Sequence, residues 1–192
     1  MPRPRDPNVD EAIVAATVAL LGECGFGAMT MEGIAERAGV GKPAIYRRFT
    51  DKAALVEAVI GWQLPELELP DRGDTRAELW EAVRKGLPSD GVGYLRLIGG
   101  LVAEEAHHPE LIAAFRTNLL TPRREIVIAL IERGKQRGDV AAEVDPEAAV
   151  DAMLGSYLAR AFAGLNVGSA WRRRAFESWW DAMSLTGSSP RR

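Results

Sequence analysis

Residues 30–52 read TMEGIAERAGVGKPAIYRRFTDK, and this stretch decides the fold. Thr30 stands where a hydroxyl accepts a hydrogen bond from a free backbone N–H in a helix's first turn. Ile34, Ala35 and Ala38 follow at i, i+1 and i+4, one narrow apolar helix face. Gly39 breaks that helix, because glycine takes positive φ without a side-chain clash. Val40 is an apolar plug in the turn, and Gly41 opens a second helix over residues 42–49. Ile45 and Phe49 point back at the first helix, while Pro43, Tyr46 and Arg47 share the opposite face.

That outer face is basic. Between Arg37 and Lys52, five basic residues (Arg37, Lys42, Arg47, Arg48, Lys52) stand against Asp51 alone, in a chain of formal net charge −3. Two readings are open. One is a helical hairpin with a solvated face. The other is a phosphate-contacting surface of Lys, Arg and a Tyr hydroxyl, on a second helix that a first one holds ready for the major groove.

The wider stretch GFGAMTMEGIAERAGVGKPAIYRRFTDKAALVEAVI resembles the DNA-binding domain of the TetR family of transcriptional regulators. Gly25-Phe26, Thr30, Ile34-Ala35, Ala38-Gly39-Val40, Ile45-Tyr46, Phe49, Lys52 and Leu55 carry the resemblance, which spans residues 9–60. It implies DNA contacts by Thr30, Lys42, Pro43, Ala44, Tyr46, Arg47, Arg48 and Lys52, with Tyr46 and Lys52 on the phosphate backbone. Gly41 stands where the family often has serine, which removes one capping or phosphate-binding hydroxyl; Ala53-Ala54 replace the usual glutamates.

The rest of the chain reads as helix. Ile13, Thr17, Leu20, Leu21 and Cys24 recur at helical spacing, so a first helix over residues 8–24 is expected, with Cys24 as a small core residue. The tail before it carries Arg3 and Arg5, read either as disordered or as a groove-reaching arm. Asp51 caps a fourth helix that ends near Leu64, since Pro65 disfavours continuing it. Pro65, Pro70 and Gly73 mark a connector and the only convincing boundary. Thr75-Arg76-Ala77-Glu78 reads as a capping box. Pro122 is expected to kink or interrupt a long helical segment that opens at Pro109 and ends at Gly138. Asp145-Pro146 starts another helix, and Ser169 caps the last.

An all-α fold of about nine helices is therefore predicted, with an N-terminal three-helix helix-turn-helix domain over residues 1–62. Residues 63–192 form a helical bundle for effector binding and dimerisation, as the resemblance implies. A chain of 192 residues, 47% of them hydrophobic, buries a core easily. With Cys24 the only cysteine no internal disulfide forms, and a reducing cytoplasm is the expected setting. The N-terminus lacks a signal peptide's apolar run, and no stretch is expected to span a bilayer.

Trp80, Tyr94, Phe115, Tyr157 and Phe162, with Ile98 and Leu119, lie on successive helices and either line one apolar cavity or fill the core. The resemblance implies the cavity and an unidentified, largely apolar small-molecule effector. It also implies a homodimer paired through the last two helices, for which Met153, Leu154, Leu158, Phe176, Trp179, Trp180 and Met183 are the candidates. Its partner would be double-stranded DNA with a palindromic operator, and its action repression relieved by the effector. The rival reading is a helical-bundle metalloprotein or enzyme using Glu104, Glu105, His107 and His108, whose Glu-x-x-His spacing occurs in di-iron bundles. Such a site needs a second Glu-x-x-His on another helix, and the chain has only these two histidines. No cofactor and no metal are expected. Serine-nucleophile, phosphate-loop and dinucleotide signatures do not occur, so no enzymatic role is expected.

Overall fold

A computed structural model describes residues 7–62, 71–88 and 91–184. The tail with Arg3 and Arg5, the expected helix end at Leu64 and the Pro65–Pro70 connector lie outside the described residues. What is described is helical: α1 (Pro7–Ala28), α2 (Met31–Arg37), α3 (Lys42–Tyr46), α4 (Lys52–Trp62), α5 (Thr75–Gly86) and α6 (Gly91–Ala103) come first. Then come α7 (Pro109–Phe115), a π-helical segment (Arg116–Leu120), α8 (Thr121–Arg137), α9 (Pro146–Phe162) and α10 (Ser169–Met183). Counting the unbroken run 109–137 as one gives nine helices among the described residues, an all-α fold. The single β contact among them is an isolated bridge between Val140 and Ser184.

Contacts divide the chain into two compact units. One takes in the described residues of 1–65 and 93–120, the other those of 66–92 and 121–192. The core of the first brings together Ile13, Leu21, Phe26, Ile34, Ile45 and Leu55 with Leu101, Leu111 and Phe115, so α6 and α7 are built into the same unit as the head. Within it α4 packs on α7 and on the π-helical segment. The core of the second is formed by Leu79, Val83, Leu130, Ile131, Val140 and Phe176, with α5 packed on α8 and α10, and α8 on α9.

The caps follow local chemistry. In α5 the cap is Asp74, one residue earlier than the capping-box reading: its carboxylate accepts from Ala77 N at 2.9 Å. That frees Thr75, whose buried hydroxyl donates to Asp139 at 2.7 Å. Asp145 caps α9 with Pro146 in its first turn, as the sequence predicts. For α10 the cap is Gly168, with no side-chain bond, and Ser169 is the first helical residue. The π-helical segment ends two residues before Pro122, which lacks the N–H of the regular ladder and crowds the carbonyl one turn back; widening that turn relieves the clash.

In α1, Gly25 has φ 75° and ψ 171°, so the regular helix stops at Cys24 and Phe26 turns into the core. Cys24 is exposed, contrary to expectation, because the buried line runs from Ile13 and Thr17 through Leu21 to Phe26 instead. Residues Asn8–Ala28 are long and apolar enough, by length and composition alone, to cross a bilayer, which the sequence reading missed. Their apolar line at Ile13, Ala16 and Leu21 is packed in the first unit's core.

Candidate nucleic-acid interface

The head builds its outer edge from a few local contacts. Thr30 Oγ1 accepts from Gly33 N at 3.0 Å and starts α2. Gly39 takes φ 66° in the turn, which lets Val40 N reach the Ala35 carbonyl at 3.0 Å. Gly41 is the extended N-cap of α3 and brings no side-chain bond, the missing hydroxyl noted above. The helix itself is short, but Arg48 N and Phe49 N both return to the Ile45 carbonyl and prolong its last turn. Ile45 is fully buried and Phe49 packs half-buried on the same core. α3 is thereby pressed onto α2, leaving Lys42, Pro43, Tyr46 and Arg47 exposed and Ala44 half-buried.

The five cations of this stretch fall into different environments. Arg37 is tied bidentately to Glu23 of α1, both contacts at 2.7 Å. Arg48, next to the outward Arg47, turns inward: its Nε donates to Asp10 at 2.5 Å and its Nη1 to the Ala44 carbonyl at 2.9 Å. Lys52 Nζ donates to the carbonyls of Phe26 (2.8 Å), Gly27 (3.3 Å) and Met29 (3.4 Å), and lies 4.3 Å from the Phe26 ring centroid. The same ring meets His108 edge-on at 4.7 Å. Lys42 Nζ stands 3.5 Å from Glu32 Oε1, and the Tyr46 hydroxyl donates to the same oxygen at 3.3 Å. The Arg47 side chain has no ion pair or hydrogen bond among the described residues.

Sequence reasoning missed the acids that sort these cations. Asp10 is 38 residues from Arg48 and Glu32 is 14 from Tyr46, too far for any local pattern to pair them. The Glu32 carboxyl is held below the usual carboxylate range, first by a hydrogen bond from its own backbone and then by Lys42 and Tyr46, so it is ionised at neutral pH. Asp51 is lowered too, chiefly because Ala54 N donates to it at the start of α4.

The seven candidates for a ligand cavity are not brought together. Tyr94, Ile98, Phe115 and Leu119 share the first unit's core. Trp80 belongs to the second, its ring 5.4 Å from that of Phe176. Tyr157, also in the second, is fully buried and donates to the Pro88 carbonyl at 2.8 Å. Phe162 lines nothing: as the last residue of α9 it is 85% exposed. Of the dimer candidates, Met153, Phe176 and Met183 are interior to the second unit, which corrects their assignment to an outer surface. α5 and α8 cover that side of α9 and α10. Leu154, Leu158, Trp179 and Trp180 are half-buried.

The Glu104–His108 reading is also corrected. α6 ends at Ala103, so the Glu-x-x-His spacing falls on a turn and not on one helix face. Glu105 pairs with Arg116 at 3.2 Å, and His108 Nδ1 lies 3.0 Å from Glu110. No group of three or more metal-ligating side chains is found among the described residues.

Two family models match the chain: "Bacterial regulatory proteins, tetR family" over residues 13–59, and "Tetracyclin repressor-like, C-terminal domain" over residues 69–178. The HTH-type transcriptional regulator YdeS of Bacillus subtilis is 32% identical over 158 residues, 80% of this chain and 78% of that one. The regulator AqdR of Rhodococcus erythropolis is 28% identical over 149 residues, 73% of this chain and 68% of that one. Among solved structures, the TetR regulator tylp of Streptomyces fradiae superposes with a TM-score of 0.73 at 21% identity, covering 96% of this chain and 90% of that one. A flavonoid-responsive regulator, FrrA, gives a TM-score of 0.65 at 19% identity, covering 94% and 99%.

Proposed function

The chain belongs to the TetR family of bacterial transcriptional regulators, and from that premise we propose that it is a ligand-responsive repressor that binds a palindromic operator as a homodimer. The family's members are DNA-binding regulators and not enzymes. One observation carries the reading of the site: α3 is clamped from behind by Ile45, and by Arg48 on Asp10, while Lys42, Tyr46 and Arg47 are exposed on its outer edge. A stiffly mounted short helix with an exposed basic edge suits the major groove.

On this reading Pro43, Ala44 and Arg47 face the bases, and Thr30, Lys42 and Tyr46 face phosphates. Arg48 and Lys52 act by holding the head: Arg48 binds Asp10 and the Ala44 carbonyl, and Lys52 the carbonyls of Phe26, Gly27 and Met29. DNA binding is assigned to residues 1–62, and effector binding and dimerisation to 63–192. The effector is a largely apolar small molecule taken up among Tyr94, Ile98, Phe115 and Leu119. These lie in the unit that also holds α4, and α7 packs directly on α4, so a displaced Phe115 bears on the helix that carries Lys52. A flavonoid-responsive regulator, FrrA, shares the fold. The protein works in the cytoplasm, where its DNA is.

The homodimer uses the open face of α9. Ala148, Ala152, Gly155, Ala159 and Phe162 are all exposed there, and a Cβ added at Gly155 meets nothing within 4 Å. A two-fold axis through this face pairs it with itself. Ala159→Glu with Phe162→Glu turns the dimer into a monomer by sedimentation; an unchanged sedimentation coefficient refutes the surface. For the function as a whole, the test is selection of bound duplexes from random DNA. The expected product is an inverted repeat with half-sites about one helical turn apart (~34–36 Å) or a multiple. Recovery of no enriched sequence at low salt rejects the reading.

A further inference from the structure

We propose that Glu32 occupies, in the unbound head, the place of a DNA phosphate, and so lowers affinity for every duplex regardless of sequence. The inference rests on the DNA-binding reading of α3 and adds a residue to it. Lys42 and Tyr46 project from successive turns of the α3 edge, and both converge on one oxygen, Glu32 Oε1. A cation and a hydroxyl meeting at a single anionic oxygen is the arrangement that proteins present to a phosphate.

Distances separate this contact from the other ion pairs of the head. Arg37–Glu23 and Arg48–Asp10 close at 2.5–2.7 Å and hold α1 against α2 and α3. The Glu32 contacts are long, 3.3 and 3.5 Å, and the side chains of Lys42 and Glu32 are 62% and 48% exposed. Long contacts in water exchange readily and contribute little to stability. Nothing in the core depends on Glu32, so its carboxylate can swing aside. While in place, it neutralises Lys42 and repels an approaching phosphate. Arg47 then remains as the one cation on this edge with no counter-charge among the described residues.

The test is Glu32→Gln, which keeps the shape and removes the charge, with Glu32→Ala beside it. Affinity is measured by fluorescence anisotropy on a random-sequence duplex and on a duplex enriched by selection, over a salt series. Both duplexes are expected to bind about two- to fivefold more tightly, the range of an exposed ion pair. The gain is equal for the two because a phosphate contact carries no sequence information. The slope of log K against log salt steepens by about one, since Lys42 becomes free to release a counterion. In the double variant with Lys42→Ala most of the gain disappears. Melting curves matching the wild type show that both single variants fold.

Unchanged or weaker binding by a folded Glu32→Gln protein overturns the proposal, as does a gain that removal of Lys42 leaves undiminished. The two readings fail differently. If the wild type binds no duplex, the DNA-binding reading falls and takes this one with it. If the wild type binds and Arg47→Ala weakens it while Glu32→Gln changes nothing, only the role of Glu32 is lost.

Discussion

On the outer edge of α3, Lys42 and Arg47 stand in water, and the nearest carboxylate, Glu32, has 48% of its side chain exposed. Between α5 and α8, Glu78 has 1% of its side chain exposed and accepts from Arg133 Nη2 at 2.6 Å and Arg72 N at 2.5 Å, with Arg137 at 3.4 Å. Arg137 also pairs with Asp71. Burial alone pushes the Glu78 carboxyl up, but the Arg72 amide and the two guanidinium groups outweigh it and leave it below the usual range. The two regions use the same residue types to opposite ends. Charge removed from water is committed to the fold, because breaking such a pair strands its partner. Charge left in water contributes little to stability and stays available to a ligand.

The sharpest way to break this contrast is at Glu78. Glu78→Ala leaves Arg133 and Arg137 facing an empty buried site and is expected to cost about 3 kcal/mol, the lower end for a buried pair, since both arginines are partly exposed. Urea denaturation measures it, and a loss well below 1 kcal/mol would place this cluster in the same class as the α3 edge. Within the head, the neighbours Arg47 and Arg48 repeat the contrast one residue apart. Arg48→Ala breaks a pair whose side chains are 14% and 13% exposed, and should cost about 2 kcal/mol by the same measurement.

Arg47→Ala should leave the melting temperature where it is, weaken duplex binding about tenfold and relax base preference at the position it reads. If Arg47→Ala destabilises the protein and Arg48→Ala does not, the division fails at its finest point. The smallest effect is at Glu81, whose carboxyl is drawn from 4.5 to about 2 by hydrogen bonds from Arg84 and then Lys85 on the surface of α5. A depressed carboxylate contributes stability above pH 4.5 and loses it as pH falls toward 2. Glu81→Gln should flatten that acid limb by only ~0.3–0.5 kcal/mol. Stability measured at pH 7 and at pH 3 checks the sign.

Sequence carried the local part of this architecture and lost the distant part. Thr30, Gly39 and Ile45 were legible because a cap, a left-handed turn and a buried i+4 partner are properties of a few neighbouring residues. Pro122 was legible for the same reason, and the chain answers it with the π-helical segment. Arg48 and Lys52 looked like two more cations for DNA, yet their positions are fixed by Asp10 and by carbonyls 23 to 26 residues upstream. Glu78 resembled the acid of a capping box, and only the approach of α8 shows it to be the anchor of an ionic cluster. Met153, Phe176 and Met183 announced an apolar surface without saying which helices cover it.

The sharing of one core by the N-terminal helices and by Leu101, Leu111 and Phe115 bears on modular engineering. A chimaera that joins this head to a foreign sensor just after α4 would leave behind the helix on which α4 rests. Such a graft has to carry residues 93–120 with it, or supply replacements for the apolar side chains they contribute.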